Sequence, residues 1–337
     1  MSEFDIIRRY FAESGLQFER AGITLGIGDD AALLQPPPDS MLAISMDVLV
    51  ESIHFPANAE PALIAQRALA VNLSDMAAMA AEPLCFTLGL TLPHADDDWL
   101  SDFSAGLLVL AQRYNCPLVG GDLSRGPFNI AIQVHGLVAP DRVMRRSGAG
   151  IGDQIYVSGC LGDGAIALAS MGLPAQLGAD FLLKPNTLDA AGQHYFKEAF
   201  YKPEPRIELA RACAPYCSSG IDISDGLAGD LGHILRANGV GAVLNAAAIP
   251  YSSHAEHCMT AANRQLAAFY GGDDYELCVT VAPEHCAAVE VAASACDIRF
   301  TRIGEIVIGA ELHCIDETGI SQRVGRAAFE HFRNEAS

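Results

Sequence analysis

The sequence predicts an α/β protein, mixed in its arrangement of helices and strands and folded as two domains. Three observations carry this. Apolar runs of strand length alternate with stretches of helix length along the chain. The alternation runs through two cycles, divided by Arg145-Arg146-Ser147-Gly148-Ala149-Gly150-Ile151-Gly152-Asp153, where small residues break the pattern. The chain has 337 residues, half of them hydrophobic, more than one small core takes up. The boundary falls so that residues 1–145 form the first domain and 146–337 the second.

The elements follow in order. Residues 4–12 carry Phe4, Ile7, Tyr10 and Phe11 at helical spacing. Residues 41–50 read as a buried strand with Asp47 inside it. Residues 60–81 are alanine-rich with proline in the first turn, a helix. Residues 84–92 alternate as a strand. Residues 96–114 read as a helix that opens on Asp96, Asp97 and Asp98, the end where negative charge is favoured. Short apolar runs at 117–119 and 128–139 are strands, and Pro36-Pro37-Pro38 is a loop. The second cycle begins with a strand at 154–158, a glycine-rich turn and a helix at 163–172. Helices follow near 188–200, 204–214 and 227–238. A strand at 240–245, a helix near 253–269, a strand at 275–281, a helix at 283–296 and a strand at 299–308 complete it.

Composition excludes several functions. The formal net charge is −20, the opposite of the basic face a nucleic-acid binder needs. The only lysines are Lys184, Lys197 and Lys202, so phosphates would be handled by arginine, backbone N–H groups and metal ions. No run of about 18 apolar residues occurs, so no membrane span is expected. The acidic start Met1-Ser2-Glu3-Phe4-Asp5 is unlike an export signal, and a cytoplasmic location is expected. Ten cysteines without a Cys-x-x-Cys pair read as reduced thiols, and His254, His257 and Cys258 lack a clear second pair of zinc ligands.

Acidic clusters beside glycines carry the chemistry. Gly26-Ile27-Gly28-Asp29-Asp30-Ala31 superficially fits a dinucleotide fingerprint. No full helix follows before the three prolines, however, and two aspartates would repel a pyrophosphate. They suit a metal better, or a plain turn. Asp47 in an apolar strand is costly unless it is paired, caps a backbone group or binds metal. Asn72 and Asp75 share one face of an otherwise apolar helix. Gly120-Gly121-Asp122-Leu123-Ser124-Arg125-Gly126 follows a strand, where paired glycines let a ligand approach the backbone or simply make a tight turn. Asp222-Ile223-Ser224-Asp225-Gly226-Leu227 precedes a helix, as ligand set or N-cap. Gly271-Gly272-Asp273-Asp274-Tyr275-Glu276-Leu277 repeats the glycine–acid pattern at a strand start. Together these suit several Mg²⁺ ions bridging carboxylates to phosphates. No P-loop and no protein-kinase signature occurs.

These strings, with Ala-Val-Asn-Leu-Ser-Asp-Met-Ala-Ala-Met at 70–79, resemble in order those of the thiamine-monophosphate kinase family, over residues 3 to 332. Single strings recur in the wider superfamily of aminoimidazole ribonucleotide synthetase and selenophosphate synthetase. The resemblance implies the two-domain aminoimidazole ribonucleotide synthetase-like fold. Its N-terminal sheet pairs with a copy of itself in a homodimer, and its C-terminal α/β domain forms a nucleotide cleft with it. It implies ATP and thiamine monophosphate as substrates and Mg²⁺ as cofactor. It places metal ligands at Asp30, Ser45, Met46, Asp47, Asp75, Asp122, Asp222 and Asp225, nucleotide contacts at Gly121, Asp122, Arg146 and Ser224, and thiamine-phosphate contacts at His54, Asp273 and Phe329. Three positions depart from the family pattern. Met46 stands where threonine is common, so only its carbonyl suits Mg²⁺. Asp273 stands for glutamate, and Leu123-Ser124 for two threonines. The acceptor implied is a phosphate oxygen, already anionic, so no general base is required. Metal ions and Arg146 would neutralise and align the two polyanions for in-line transfer. Two other functions compete with this one: another ATP-using synthetase of the superfamily, and an acidic metal-binding protein without turnover.

Overall fold

The computed structural model describes residues 2–173, 177, 181, 183, 184 and 187–325. It divides into two compact units, Met1–Val143 with Tyr201–Ile207, and Met144–Phe200 with Glu208–Ser337.

Unit 1 opens on helix α1 (Glu3–Ile6), capped by the Ser2 hydroxyl and continued by a π-helical stretch, Ile7–Ala12. The wider winding, closed by the Glu13 N–H on the Arg8 carbonyl at 2.8 Å, changes which side chains face inward. Ile6, Tyr10 and Phe11 are buried, whereas Phe4, read as part of the apolar stripe, is 80% exposed. Strands β1 (Ile23–Leu25) and β2 (Leu33–Leu34) then pair across the 26–32 loop.

A four-stranded sheet follows, built from β3 (Met41–Val50), β4 (Glu82–Leu92), β5 (Leu118–Arg125) and β6 (Asn129–Val138) in the order β3-β6-β4-β5. The β4–β5 pair is parallel and the other two are antiparallel. Helix α2 (Pro61–Ala78) starts with proline at its first position and is buried almost all round, as expected of a helix apolar on every side. It packs on the sheet and against α3 (Asp97–Arg113), whose Asp96 carboxylate caps the Trp99 N–H at 2.8 Å. Along β3, Ala43, Ser45, Asp47 and Leu49 alternate with the exposed Leu42, Ile44, Met46, Val48 and Val50. Tyr201–Ile207 belongs with this unit because Glu204 pairs with Arg113 and accepts the Tyr114 hydroxyl at 2.9 Å.

Unit 2 is built on a seven-stranded sheet, β7 (Gln154–Ser158), β8 (Cys217–Ile223), β9 (Gly241–Asn245), β10 (Glu276–Val281), β11 (Phe300–Val307), β12 (Leu312–Ile315) and β13 (Ser321–Arg323). Its order is β13-β12-β9-β11-β7-β10-β8, with β12–β9 the parallel pair. The helices are α4 (Asp163–Ser170), α5 (Ala190–Tyr201), α6 (Ile207–Cys213), α7 (Leu227–Asn238), α8 (Ser253–Cys258), α9 (Ala261–Tyr270) and α10 (Cys286–Ser294). Ile155, Val157, Ile221 and Ile223 of the sheet pack with Leu231, Leu235 and Phe269 of α7 and α9 in one core. The helix expected over 253–269 is two helices. The Thr260 hydroxyl takes the Asn263 N–H at 3.2 Å, which starts α9 afresh. Among the described residues no helix is long and apolar enough to cross a membrane, and all ten cysteines are free thiols.

Candidate active site

In unit 1, strand β3 and helix α2 bring three of the expected ligands together. The Ser45 hydroxyl donates to the Asp75 carboxylate at 2.5 Å. Asp47 lies two residues on, on the same face of the strand. Burial and then the negative charge of Asp75 push its carboxyl up to about 6. Asn72, one helical turn before Asp75, accepts the Asp47 backbone N–H at 3.1 Å and donates to the Ala68 carbonyl at 2.9 Å. Asn72 thus ties helix to strand one turn from Asp75. Met46 points its thioether to the opposite face, where it is 53% exposed, leaving only its backbone on the acidic side.

Gly121 and Asp122 lie inside β5 rather than in a turn after a strand, because the chain keeps pairing with β4 from Leu118 to Arg125. Gly121 holds φ +154°, and a Cβ there would stand 1.9 Å from the Leu88 carbonyl oxygen, so the parallel strands meet only around a glycine. Asp122 is exposed and accepts the Ser124 hydroxyl at 2.9 Å. Asp30 is exposed in the loop between β1 and β2, and its N–H reaches the Asp29 carboxylate at 2.9 Å. The His54 Nδ1 accepts the Val50 N–H at 3.0 Å, and the His54 N–H donates to the Val50 carbonyl at 2.9 Å. That bond puts the neutral ring's proton on Nε2.

In unit 2, Asp222 lies near the end of β8, and the turn that follows carries Ser224 and Asp225. Asp230, in the first turn of α7, is a residue the sequence reading missed. It is 3% exposed, and its carboxylate accepts the Asp225 N–H at 2.9 Å and also bonds the Ser224 backbone. Burial, the Asp222 charge and the Asp225 charge together push its carboxyl up to about 8. The signal available in the sequence was an acid just inside a helix start, facing back on the turn. Arg146 is held through its backbone. Asn238 donates to the Arg146 carbonyl at 2.8 Å and accepts the Gly148 N–H at 2.7 Å. Arg146 and Arg236 both press positive charge on His233, which with burial holds that imidazole below its usual range. Asp273 lies in the segment between α9 and β10 with φ +62°. Phe329 lies outside the described residues.

Among the described residues, no three His, Cys, Asp or Glu side chains stand together as a ready metal cage. What each unit offers is neighbouring carboxylates, Asp75 beside Asp47 and Asp222 and Asp225 beside Asp230, whose charge adds to burial in raising the Asp47 and Asp230 carboxyls. Oxygen donors whose own charges repel fit a hard divalent cation.

Residues 28–138 match the N-terminal domain, and 150–316 the C-terminal domain, of AIR synthase related proteins. The thiamine-monophosphate kinase of Escherichia coli strain K12 is 40% identical over 330 residues, 98% of each chain. This chain belongs to the thiamine-monophosphate kinase family. A family member of known structure, the thiamine-monophosphate kinase of Stenotrophomonas maltophilia K279a, superposes with a TM-score of 0.82 at 37% identity, covering 93% of this chain and 96% of that one. AaThiL, solved in complex with AMPPCP and TMP, shares the fold with a TM-score of 0.72 at 24% identity, covering 88% and 89%. The aminoimidazole ribonucleotide synthetase-like fold expected of the family is the fold found, in both domains.

Proposed function

We propose that the chain is an ATP-dependent thiamine-monophosphate kinase that moves the γ-phosphoryl group onto the phosphate of thiamine monophosphate, giving thiamine diphosphate and ADP. The observation that supports this most is the joined Ser45, Asp47 and Asp75 on β3 and α2, within a chain 40% identical to such a kinase over 98% of its length. The related kinases carry thiamine monophosphate in their name, and AaThiL was solved with an ATP analogue and TMP.

The roles follow from chemistry. Asp30, Ser45, the Met46 carbonyl, Asp47, Asp75 and Asp122 of unit 1, and Asp222 and Asp225 of unit 2, would hold Mg²⁺. When bound, the ions neutralise phosphate oxygens and so lower the repulsion between donor and acceptor. Gly121, Asp122, Arg146 and Ser224 contact the nucleotide. Arg146 offers a planar fork of N–H donors to phosphate oxygens, and Arg236 adds positive charge beside it. His54 presents Nε2–H to the acceptor, and Asp273 and Phe329 contact its thiamine part. No side chain need take a proton, because the attacking oxygen is already an anion. The protein's contribution is to position and to neutralise charge.

The exposed apolar row Leu42, Ile44, Met46, Val48 and Val50 runs along an edge strand, the place where an uncovered sheet pairs with another chain. We assign it to a homodimer interface, and the enzyme to the cytoplasm with its ATP. A transfer assay tests the activity. Purified protein with Mg²⁺, ATP and thiamine monophosphate should form ADP and thiamine diphosphate one for one, and chelation should stop both. ADP without thiamine diphosphate would sink the proposal.

A further inference from the structure

The segment Gly272–Tyr275, between α9 and β10, bends in a way its residues resist. Gly272 holds φ +66°, Asp273 +62° and Tyr275 +51°, a left-handed conformation that glycine adopts freely, aspartate occasionally and tyrosine rarely. Such a bend persists only where the surroundings over-determine it. Here the Asp273 N–H donates to the Ser224 carbonyl at 2.8 Å and the Tyr275 N–H to the Ile223 carbonyl at 2.7 Å. Between them Asp274 turns the other way. Its Oδ2 accepts the Gly162 N–H at 2.7 Å and its Oδ1 the Gly164 N–H at 3.1 Å, at the start of α4. The fit allows no slack, since a Cβ on Gly164 would stand 2.4 Å from the Asp273 carbonyl oxygen. Burial pushes the Asp274 carboxyl well above the usual carboxylate range, so its placement costs free energy that an ordinary turn residue would not. The outcome is the aim of Asp273, whose Oδ1 also receives the Tyr275 hydroxyl at 3.1 Å.

We infer that Asp274 and Tyr275 are positioning residues for Asp273: Asp274 clamps the bent segment onto the Gly162–Gly164 turn, and the Tyr275 hydroxyl orients the Asp273 carboxylate toward the cationic thiamine end of the acceptor. The inference rests on the assignment of Asp273 to the acceptor. Asp274 itself touches neither substrate. It acts through the backbone that carries Asp273, and that backbone is tied to Ser224, so the acceptor contact and a nucleotide contact hang from one set of hydrogen bonds.

The test is a double-mutant cycle on the full chain with Mg²⁺. Asp273→Ala alone should raise the KM for thiamine monophosphate about tenfold while the KM for ATP stays within about twofold. Asp274→Asn keeps the shape but meets one of the two N–H donors with an amide that cannot accept, and should raise the same constant about three- to tenfold. In the Asp273→Ala background, Asp274→Asn should add almost nothing, which a merely structural role would not produce. Tyr275→Phe, which removes one hydroxyl, should behave likewise and decides the matter if Asp274→Asn melts below assay temperature. An unchanged KM for Asp273→Ala overturns the acceptor assignment and the inference with it. A raised KM there, with Tyr275→Phe and a folded Asp274→Asn unchanged or fully additive, overturns the positioning role alone.

Discussion

Ser45 on strand β3 and Asp75 on helix α2 are joined by a hydrogen bond of 2.5 Å, so strand and helix deliver their oxygens as one unit. Asp47 extends that unit, at the cost of two carboxylates near each other. Removing either charge should therefore separate function from stability. Asp47→Asn and Asp75→Asn should each lower turnover by about 100-fold or more. The metal-free Asp47→Asn protein should melt no lower than wild type at pH 7, since a buried, repelled charge is gone. Paired measurement of transfer rate and melting temperature checks this, and near-normal transfer in both variants would remove the metal-site assignment.

Asp230 gives a pH dependence with a definite sign. Its folded-state carboxyl is pushed up to about 8, against roughly 3.9 in an unfolded chain. The folded protein therefore holds that proton more tightly. The stability this contributes is full below about pH 4 and is lost as pH rises toward 8. Thermal melts of metal-free protein at pH 5 and pH 8 should show a fall for wild type and a visibly smaller one for Asp230→Asn. Equal slopes would contradict the burial and charge assigned to Asp230.

Gly121 is required by space before any ligand is considered. Gly121→Ala sets a methyl group against the Leu88 carbonyl and should cost roughly 2–4 kcal/mol of stability, read by urea denaturation. Gly120→Ala, where a Cβ meets nothing within 4 Å, should leave stability close to wild type. Similar losses in both would show that the β4–β5 approach is looser than described.

The outer face of β3 predicts assembly. Light scattering at micromolar protein should give about twice the chain mass. Ile44→Arg, placed on a residue 55% exposed in the single chain, should shift the population to monomer without lowering the melting temperature of the isolated fold much. A wild-type protein that is monomeric and fully active would refute the pairing.

Much of this was legible because the signals are local. Met41–Val50 and Gln154–Ser158 have the bounds the apolar runs suggested, and α7 spans 227–238 as read. The Asn72–Asp75 pair was visible as polar residues on an apolar face. What it does with Ser45 and Asp47 was not, since that depends on which strand α2 lies against. Asp230 was hidden for the same reason: an acid in a first helical turn is ordinary, and only the fold shows it reaching back to Ser224 and Asp225. Strands β12 and β13 escaped because they are short, and every residue of Ser321–Arg323 is exposed, which leaves no alternation to read. The end of β5 was misplaced because Gly120-Gly121 carries a turn signature, whereas here glycine serves close strand approach.

Tyr201–Ile207 belongs to the first unit although it lies between two stretches of the second, Met144–Phe200 and Glu208–Ser337. Genetic dissection at the apparent boundary would therefore not yield two self-sufficient pieces. A fragment ending near residue 145 would lack Glu204, the partner of both Arg113 and Tyr114 at the end of α3. During synthesis the first unit likewise cannot complete itself until residue 207 has left the ribosome, by which time β7, α4 and α5 are already made. Split-protein or domain-swap experiments on this fold should therefore carry 201–207 with the N-terminal fragment.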